Sequence, residues 1–150
     1  MRVVIQRVRK AQVTIEENTR EQIGQGILVL LGIEMADVQA DVDWLVNKVL
    51  NLRIFDDENG VMNKSLLEIK GELMIVSQFT LMAATKKGNR PSYIRAANHE
   101  HAIPLYESFV EKAKTLIDSK VATGSFGAMM QVSLENDGPV TILMDSKNKE

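Results

Sequence analysis

The first part of the chain alternates between apolar and polar residues and then becomes continuously apolar. The segments RVVIQRV, from Arg2, and AQVTIE, from Ala11, alternate and are rich in β-branched residues, which is typical of strands with one buried face. The segment GILVLLGIE, from Gly26, is apolar almost throughout, as expected of a strand buried on both faces. We therefore predict three strands before Met35.

Two later segments have the apolar spacing of amphipathic helices. Asp37 is a candidate N-cap for the first helix. The second covers residues 102–119, where Pro104 is tolerated because it lies in the first turn. The positions expected to face the core are Val38, Val42, Leu45, Val49 and Leu52 in the first helix, and Ala102, Leu105, Phe109, Ala113 and Leu116 in the second.

The remaining apolar runs predict strands in the second half of the chain. ELMIVSQFTLMA, from Glu72, reads as one strand, while DDENG at residues 56–60 and GNRPS at residues 88–92 read as turn and loop. GAMMQVSL and VTILMD flank NDGPVT, residues 136–141, which we expect to form a hairpin tip. Proline has no N–H for a sheet, so Gly138-Pro139 is either the start of an edge strand or a specially shaped piece of backbone.

Strands at both ends with two helices between them indicate one α+β domain. A chain of 150 residues is long enough to bury one sizeable core, and no linker or repeat divides it. We assign residues 1–145 to this domain and expect the SKNKE segment, residues 146–150, to be a loose tail.

Composition removes several classes of chemistry. The chain has no cysteine, which excludes disulfides, a thiolate nucleophile and cysteine-ligated zinc. Its longest apolar run, residues 26–33, is far shorter than the ~20 residues of a membrane span, and no charged and then apolar leader precedes it. We expect a cytoplasmic protein without a membrane partner. The net charge of −2 argues against a surface covered all over with nucleic-acid-binding charge, and we expect no DNA partner.

Candidate catalytic side chains are few. His99 and His101 are two residues apart, so on a helix they point in different directions, and we interpret them as a solvated helix start. Ser77 and Thr80 carry hydroxyls, but no histidine or lysine is near them in sequence, which is typical of polar residues in a half-buried strand. No glycine-rich phosphate loop is present. The sequence predicts neither a metal nor a cofactor.

Positive charge is concentrated in one loop. Residues 83–98 contain Lys86, Lys87, Arg90 and Arg95 but no acidic residue, and Tyr93 adds an aromatic surface on which a base could stack. An RNA-binding loop and a loop that is simply soluble are both consistent with this pattern.

Several of these segments together resemble the D-aminoacyl-tRNA deacylase family. They are SQFTL at residues 77–81, KGNRPS at 87–92, TGSFGAMMQVSLENDGPVT at 123–141, QRV near the start and VLNLRIF at 49–55. The resemblance covers nearly the whole chain, to about Asp145. It implies hydrolysis of the ester that joins a D-amino acid, or glycine, to the terminal adenosine of tRNA, with release of free amino acid and tRNA. It also implies that the mixed, twisted sheet curls into a partial barrel with the two helices packed outside.

The resemblance assigns roles around SQFTL that need no catalytic side chain. Phe79 and Thr80 would supply main-chain donors to the developing oxyanion, and the substrate's own 2′-hydroxyl would take part in the chemistry. Gln78 would help seat the adenosine or the amino group, while Ser77 and Met129 would line the pocket.

The resemblance also gives Gly138-Pro139 a function. The protein would be a homodimer, and a cis Gly138-Pro139 bond would enter the partner's pocket, where it leaves no room for an L side chain. Arg7 would help to hold this element. Lys86, Lys87 and Arg90 would contact the tRNA.

Two other functions are compatible with the same features. One is a tRNA-binding or editing accessory domain that has no activity, and the other is a purely structural dimeric barrel. Turnover of D-aminoacyl-tRNA distinguishes the deacylase from both, and tRNA binding distinguishes the accessory domain from the structural protein.

Overall fold

The structure is a computed structural model that describes residues 1–16 and 18–150. Its strands are β1 (Arg2–Ile15), β2 (Thr19–Ile23), β3 (Gly26–Gly32), β4 (Phe55–Asp56), β5 (Met62–Lys64), β6 (Glu72–Ser77), β7 (Val121–Thr123) and β8 (Met130–Asp145). The helices are α1 (Gln39–Asn51) and α2 (His99–Leu116), and a 3₁₀ turn covers Phe79–Met82. In this described part of the chain, neither α-helix is long and apolar enough to cross a membrane.

The main sheet is mixed. Its order is β2-β1-β3-β6-β7, and β8 pairs with the other edge of β1. β1 is antiparallel to β2, β3 and β8, whereas β3, β6 and β7 run parallel to one another. The sheet is nearly closed into a barrel, with two helices packed against it, which confirms the predicted α+β architecture.

The core lies on both faces of this sheet. The larger cluster joins α1 and α2 to one face, and a smaller cluster that includes Val8, Leu28 and Met74 lies on the other. Ile27 and Leu28 are neighbours in β3 but belong to different clusters. The prediction that this strand is buried on both faces is therefore confirmed.

The first two predicted strands are one. β1 continues from Arg2 to Ile15, although Arg9 and Lys10 are both exposed and interrupt the alternation. The pairing with β8 changes register twice here, between Gln6 and Val8 and between Val8 and Lys10. Such bulges bend a strand without ending it, so the break in periodicity does not separate two strands as predicted. β2, which follows, was not predicted.

The hairpin tip predicted at NDGPVT is also wrong. β8 runs through it as one strand, and residues 137–140 leave the pairing with β1 as a bulge. Asn136 closes the bulge, because its Nδ2 donates to the carbonyl oxygens of Arg7 and Val140, each at 2.9 Å. The Gly138-Pro139 bond is cis, as expected, and Gly138 has a φ of +123°.

Other boundaries differ because tertiary contacts replace local ones. The N-cap of α1 is Val38, while Asp37 is buried and accepts hydrogen bonds from the Met1 ammonium and from the Glu34 amide. The strand predicted from Glu72 ends at Ser77 and becomes the 3₁₀ turn.

The second helix begins earlier than predicted and also ends earlier. The Asn98 side chain caps its first turn by accepting from the His101 amide at 3.0 Å. Val38 and Leu116, which were expected to face the core, are 55% and 49% exposed. Both lie at the ends of their helices, where the apolar stripe no longer meets the sheet.

The two ends of the chain meet beside α1. The Met1 ammonium donates to Asp37 and, at 3.0 Å, to the Ser146 hydroxyl. Lys147 Nζ lies 2.7 Å from Asp41 Oδ2. The start of the segment that we expected to be loose therefore contacts the body of the protein.

Candidate active site

A cavity of about 460 Å³ opens where β6 ends. Four pieces of chain meet there: the ends of β3 and β6, the start of α2, and the segment that leads into β8. Most of its walls are apolar, with Leu31, Ile33, Val76, Ala97, Ala102, Phe126 and Met130 among the lining residues. A volume of this size is typical of a small-molecule site.

The SQFTL segment forms the wall at the end of β6. Ser77, Gln78 and Phe79 line the cavity, and the Gln78 amide donates to the carbonyl oxygen of Leu31 at 2.7 Å. The turn packs tightly against Gly32, because a Cβ built there would lie 3.0 Å from the Gln78 carbonyl oxygen. The absence of a side chain on β3 thus lets the turn approach the sheet.

The turn leaves two main-chain donors free. Within the described residues, the amides of Phe79 and Thr80 have no protein acceptor, whereas the next amide, that of Leu81, donates to the Gln78 carbonyl oxygen at 3.2 Å. The Thr80 hydroxyl accepts a hydrogen bond from Gln78 Nε2. No basic side chain activates that hydroxyl in the described structure, so nothing marks Thr80 as a nucleophile.

The rim of the cavity is apolar and exposed. Phe79 is 56% exposed, and its ring meets the edge of Tyr93 with centroids 5.1 Å apart. Met129, which also lines the cavity, is 81% exposed. Large apolar side chains in such positions indicate a surface that binds something.

His99 is the only ionisable side chain among the described residues that line the cavity. Its ring stands at 90° to Phe126 with centroids 5.6 Å apart, and Phe126 in turn packs against Tyr106. Burial raises the pKa of Tyr106 to about 12, and its hydroxyl donates to the Ile75 carbonyl oxygen at 3.0 Å. Both histidines lie at the start of α2, and His99 is exposed there, as predicted. His101 differs from the prediction, because it is half-buried and its Nε2 lies 3.0 Å from the Asp37 carbonyl oxygen.

Gly138 and Pro139 are exposed on β8 and do not line the cavity of their own chain. Arg7 lies beneath them and is buried. Its Nε donates to the Asp137 carbonyl oxygen at 3.1 Å, and its Nη1 donates to the Ile54 carbonyl oxygen at 2.6 Å. A Cβ at Gly138 would come within 3.0 Å of Arg7 Nη2. The guanidinium therefore supports the bulge closely.

The basic residues lie on a separate loop, which comes after the 3₁₀ turn in the sequence. A bridge between Ala84 and Ser92 closes residues 84–92, which we call the basic loop. It contains Lys86, Lys87 and Arg90, all of which are exposed. Arg95 lies outside this loop and forms an ion pair with Glu34 at 2.7 Å.

The described side chains bring no group of three or more His, Cys, Asp or Glu residues together as a metal site. The cavity thus combines two polar side chains and one imidazole with apolar walls, and the turn that holds the two free amides begins at its wall. Four of the predicted site residues line the cavity, namely Ser77, Gln78, Phe79 and Met129, whereas Thr80 does not. Phe126, Met130 and His99 also line it and were not predicted. Phe126 and Met130 lie inside a segment that we had singled out, whereas nothing near His99 in sequence indicates a cavity.

Comparison with known proteins identifies the family. The model of the family described as D-Tyr-tRNA(Tyr) deacylase matches residues 4–145. The chain belongs to this family. A D-aminoacyl-tRNA deacylase of Phocaeicola vulgatus is 60% identical, and one of Bacteroides thetaiotaomicron is 59% identical, each over all of both chains. The family resemblance inferred from SQFTL and NDGPVT is confirmed.

Solved structures share the fold of this D-Tyr-tRNA(Tyr) deacylase family member. A c-Myc DNA Unwinding Element Binding Protein superposes with a TM-score of 0.91 at 43% identity, covering 97% of this chain and 98% of the other. A structure described as a probable eukaryotic D-amino acid tRNA deacylase gives a TM-score of 0.84 at 18% identity, covering 95% and 97%. At that identity the second likeness shows the fold alone.

Proposed function

We propose that this protein hydrolyses the ester of D-aminoacyl-tRNA and releases free D-amino acid and tRNA. The observation that carries the proposal is that, within the described residues, the turn that begins at cavity-lining Phe79 holds two amides without a protein acceptor, while the side chains that line the cavity include no activated nucleophile. Family membership over residues 4–145 supports the same substrate class.

The chemistry follows from what the cavity offers. An aminoacyl ester is activated by its vicinal hydroxyl, and preorganised N–H donors stabilise the oxyanion that forms when water adds to the carbonyl carbon. The Phe79 and Thr80 amides are these donors. The ester C–O bond then breaks, and the ribose oxygen leaves with a proton. The 2′-hydroxyl of the substrate takes part in place of a protein base.

The first experiment compares matched D- and L-aminoacyl-tRNA and follows release of the amino acid. We expect rapid release from the D ester and little from the L ester. Binding of tRNA without release would favour a non-catalytic accessory domain, for which the basic loop and apolar rim are sufficient. A DNA competitor belongs in the assay, because one structural relative is named for binding a DNA element.

The main-chain mechanism has a sharp test in His99. It is the only ionisable side chain that lines the described cavity, so it is the one candidate for a general base among the lining residues. We expect His99→Ala, Thr80→Ala and treatment with a chelator each to leave substantial D-aminoacyl-tRNA hydrolysis. Loss of turnover in His99→Ala with unchanged tRNA binding would show that the mechanism is wrong.

We further propose that the chain acts as a homodimer. β8 pairs with β1 on one edge, and no strand in the described part of the chain pairs with its other edge. Val132 and Leu134 are exposed on this strand, and Leu143 is 65% exposed. A long unpaired strand edge with exposed apolar side chains is normally shielded from solvent. A second copy related by two-fold symmetry would shield the β8 edge of both subunits at once.

In this dimer the Gly138-Pro139 bulge of one subunit enters the cavity of the other. The main chain of the bulge occupies the space that an L side chain needs, so rejection of L-amino acids is steric. Glycine has no side chain, and glycyl-tRNA is therefore also a substrate. Two observations support this insertion. Hydrogen bonds from Arg7 hold the exposed bulge in place, and Gly138 and Pro139 do not line the cavity of their own chain.

Mixed subunits test the insertion directly. Ala97→Phe fills the cavity, and Gly138→Ala disturbs the bulge, because φ is +123° and the new Cβ meets Arg7 and Val140. Each variant homodimer should have little activity that discriminates between D- and L-aminoacyl-tRNA. Mixing the two variants creates heterodimers in which one cavity is open and receives an intact bulge, so activity should reappear. Additive activity in the mixture, or a wild-type mass of only 16.8 kDa in solution, would contradict insertion.

A further inference from the structure

Arg2 links three elements: β1, on which it lies, β8, and the far end of the 3₁₀ turn. Its Nη1 donates to the carbonyl oxygen of Leu81 at 3.2 Å, and its Nε donates to Asp145 Oδ2 at 2.7 Å. Arg2 and Asp145 are direct partners in the β1–β8 register. The side chains are 27% and 15% exposed, so the pair is partly shielded from water.

The contact satisfies a carbonyl that the turn leaves open. Within the described residues, the Gln78 and Thr80 carbonyl oxygens accept the amides of Leu81 and Ala83, but no amide donates to the Leu81 carbonyl oxygen. The last carbonyls of a helical turn favour a cationic donor. Arg2 supplies that donor from a strand that is distant in sequence.

Asp145 keeps the guanidinium in place. Burial raises the pKa of Asp145, but the hydrogen bond from Arg2 and that from the Lys147 amide outweigh it and hold the pKa below its usual value. The carboxylate is thus charged at neutral pH, and Arg2 is fixed between a charged partner on β8 and a neutral acceptor on the turn.

We propose that Arg2 is a positioning residue that clamps the Phe79–Met82 turn and thereby aims the amides of Phe79 and Thr80. This inference rests on the proposed function, in which those amides stabilise the oxyanion. The turn is short and its Phe79 end is exposed, whereas its other end is held by the buried Met82, by close packing against Gly32 and by Arg2. Small displacements of oxyanion donors greatly lower the catalytic rate, whereas tRNA binding depends on other surfaces.

The test compares Arg2→Met with a matched control, Lys10→Met. Lys10 also lies on β1 and forms a cross-strand ion pair with its β8 partner, Glu135, at 3.3 Å, but it does not contact the turn. We expect Arg2→Met to lower kcat for D-aminoacyl-tRNA about tenfold with KM unchanged. Lys10→Met should behave as wild type, and Arg2→Lys, which retains one donor, should be intermediate.

Asp145→Asn provides a second variant that keeps the shape of the pair. We expect a smaller decrease in kcat on its own and no further decrease in the Arg2→Met background, because Asp145 acts through Arg2. Equal decreases in both backgrounds would overturn this linkage.

Hydrogen exchange gives a readout that does not depend on activity. In Arg2→Met, the Leu81 and Ala83 amides, which donate within the turn, should exchange faster, while amides in β3 should not change. Unchanged exchange in the turn would overturn the clamp. Faster exchange with wild-type kcat would leave the clamp intact but overturn the positioning role. A wild-type protein that releases no amino acid would refute the proposed function by itself.

Discussion

Replacement of Asp41 by asparagine should destabilise the protein in a manner that depends on pH. Asp41 is buried at the start of α1, and its Oδ2 accepts from Lys147 Nζ at 2.7 Å and from the Val38 amide at 2.8 Å. Burial alone would raise the pKa of this carboxyl group. Hydrogen bonds from Lys147, Ser146 and Val38 outweigh burial and lower the pKa to about 2.

The size of the effect follows from this pKa. The pKa falls from an ordinary 3.8 to about 2 on folding, and one unit corresponds to about 1.4 kcal/mol, so the carboxylate stabilises the fold by about 2 kcal/mol at pH 7. Because the folded pKa is the lower one, this stability is present above pH 3.8 and is lost as the pH falls through 2. About half remains at pH 3.

Urea denaturation at one protein concentration, at pH 7 and at pH 3, measures the difference. Asp41→Asn should lower the free energy of unfolding by about 2 kcal/mol at pH 7, or Tm by roughly 4–8 °C, and by about half as much at pH 3. Asp118→Asn removes an exposed carboxylate just after α2 and should change little at either pH. A loss for Asp41→Asn that is the same at both pH values would refute the electrostatic explanation.

Three further results are expected. Gly26→Ala should abolish folding, because its Cβ would lie 1.8 Å from the Glu72 carbonyl oxygen between β3 and β6, whereas the nearest atom to a Cβ at Gly24 is a side-chain oxygen 3.8 Å away; circular dichroism of the two variants checks this. Alanine at all three basic positions of the basic loop should weaken tRNA binding and reduce its salt slope by about 2, measured by titration at several salt concentrations, while the D-to-L ratio of rates stays the same. A tRNA that carries a D-amino acid on a terminal 2′-deoxyadenosine should bind but scarcely react, and normal cleavage in the release assay would indicate a protein base.

Local pattern was sufficient for the elements that a single face or a single run defines. The continuous apolar run of β3 is buried on both faces, and Val42, Leu45 and Val49 form the buried stripe of α1. These predictions succeeded because burial of apolar surface dominates the energy of such segments, and the period of the pattern reflects the geometry directly.

Local pattern failed where a distant strand decides the conformation. Asn136 to Pro139 have the chemistry of a turn, yet β1 lies beside both halves of β8, and the chain bulges instead of reversing. The partners of Asn136 include Arg7, which is 129 residues away, so no window of sequence contains the interaction. The same holds for Asp37, whose side chain accepts from the chain's own first residue rather than capping α1.

The sequence by itself determined the α+β class, the lack of thiol chemistry and the family, because composition, periodicity and signature segments are properties of the linear chain. Tertiary structure alone brought His99 and Phe126 to the cavity and placed Arg2 on the carbonyl of Leu81, 79 residues away. A cavity and its supports are defined by atoms that approach one another in space. The closeness of β1, β6 and α2 is a consequence of sheet order, which periodicity does not encode.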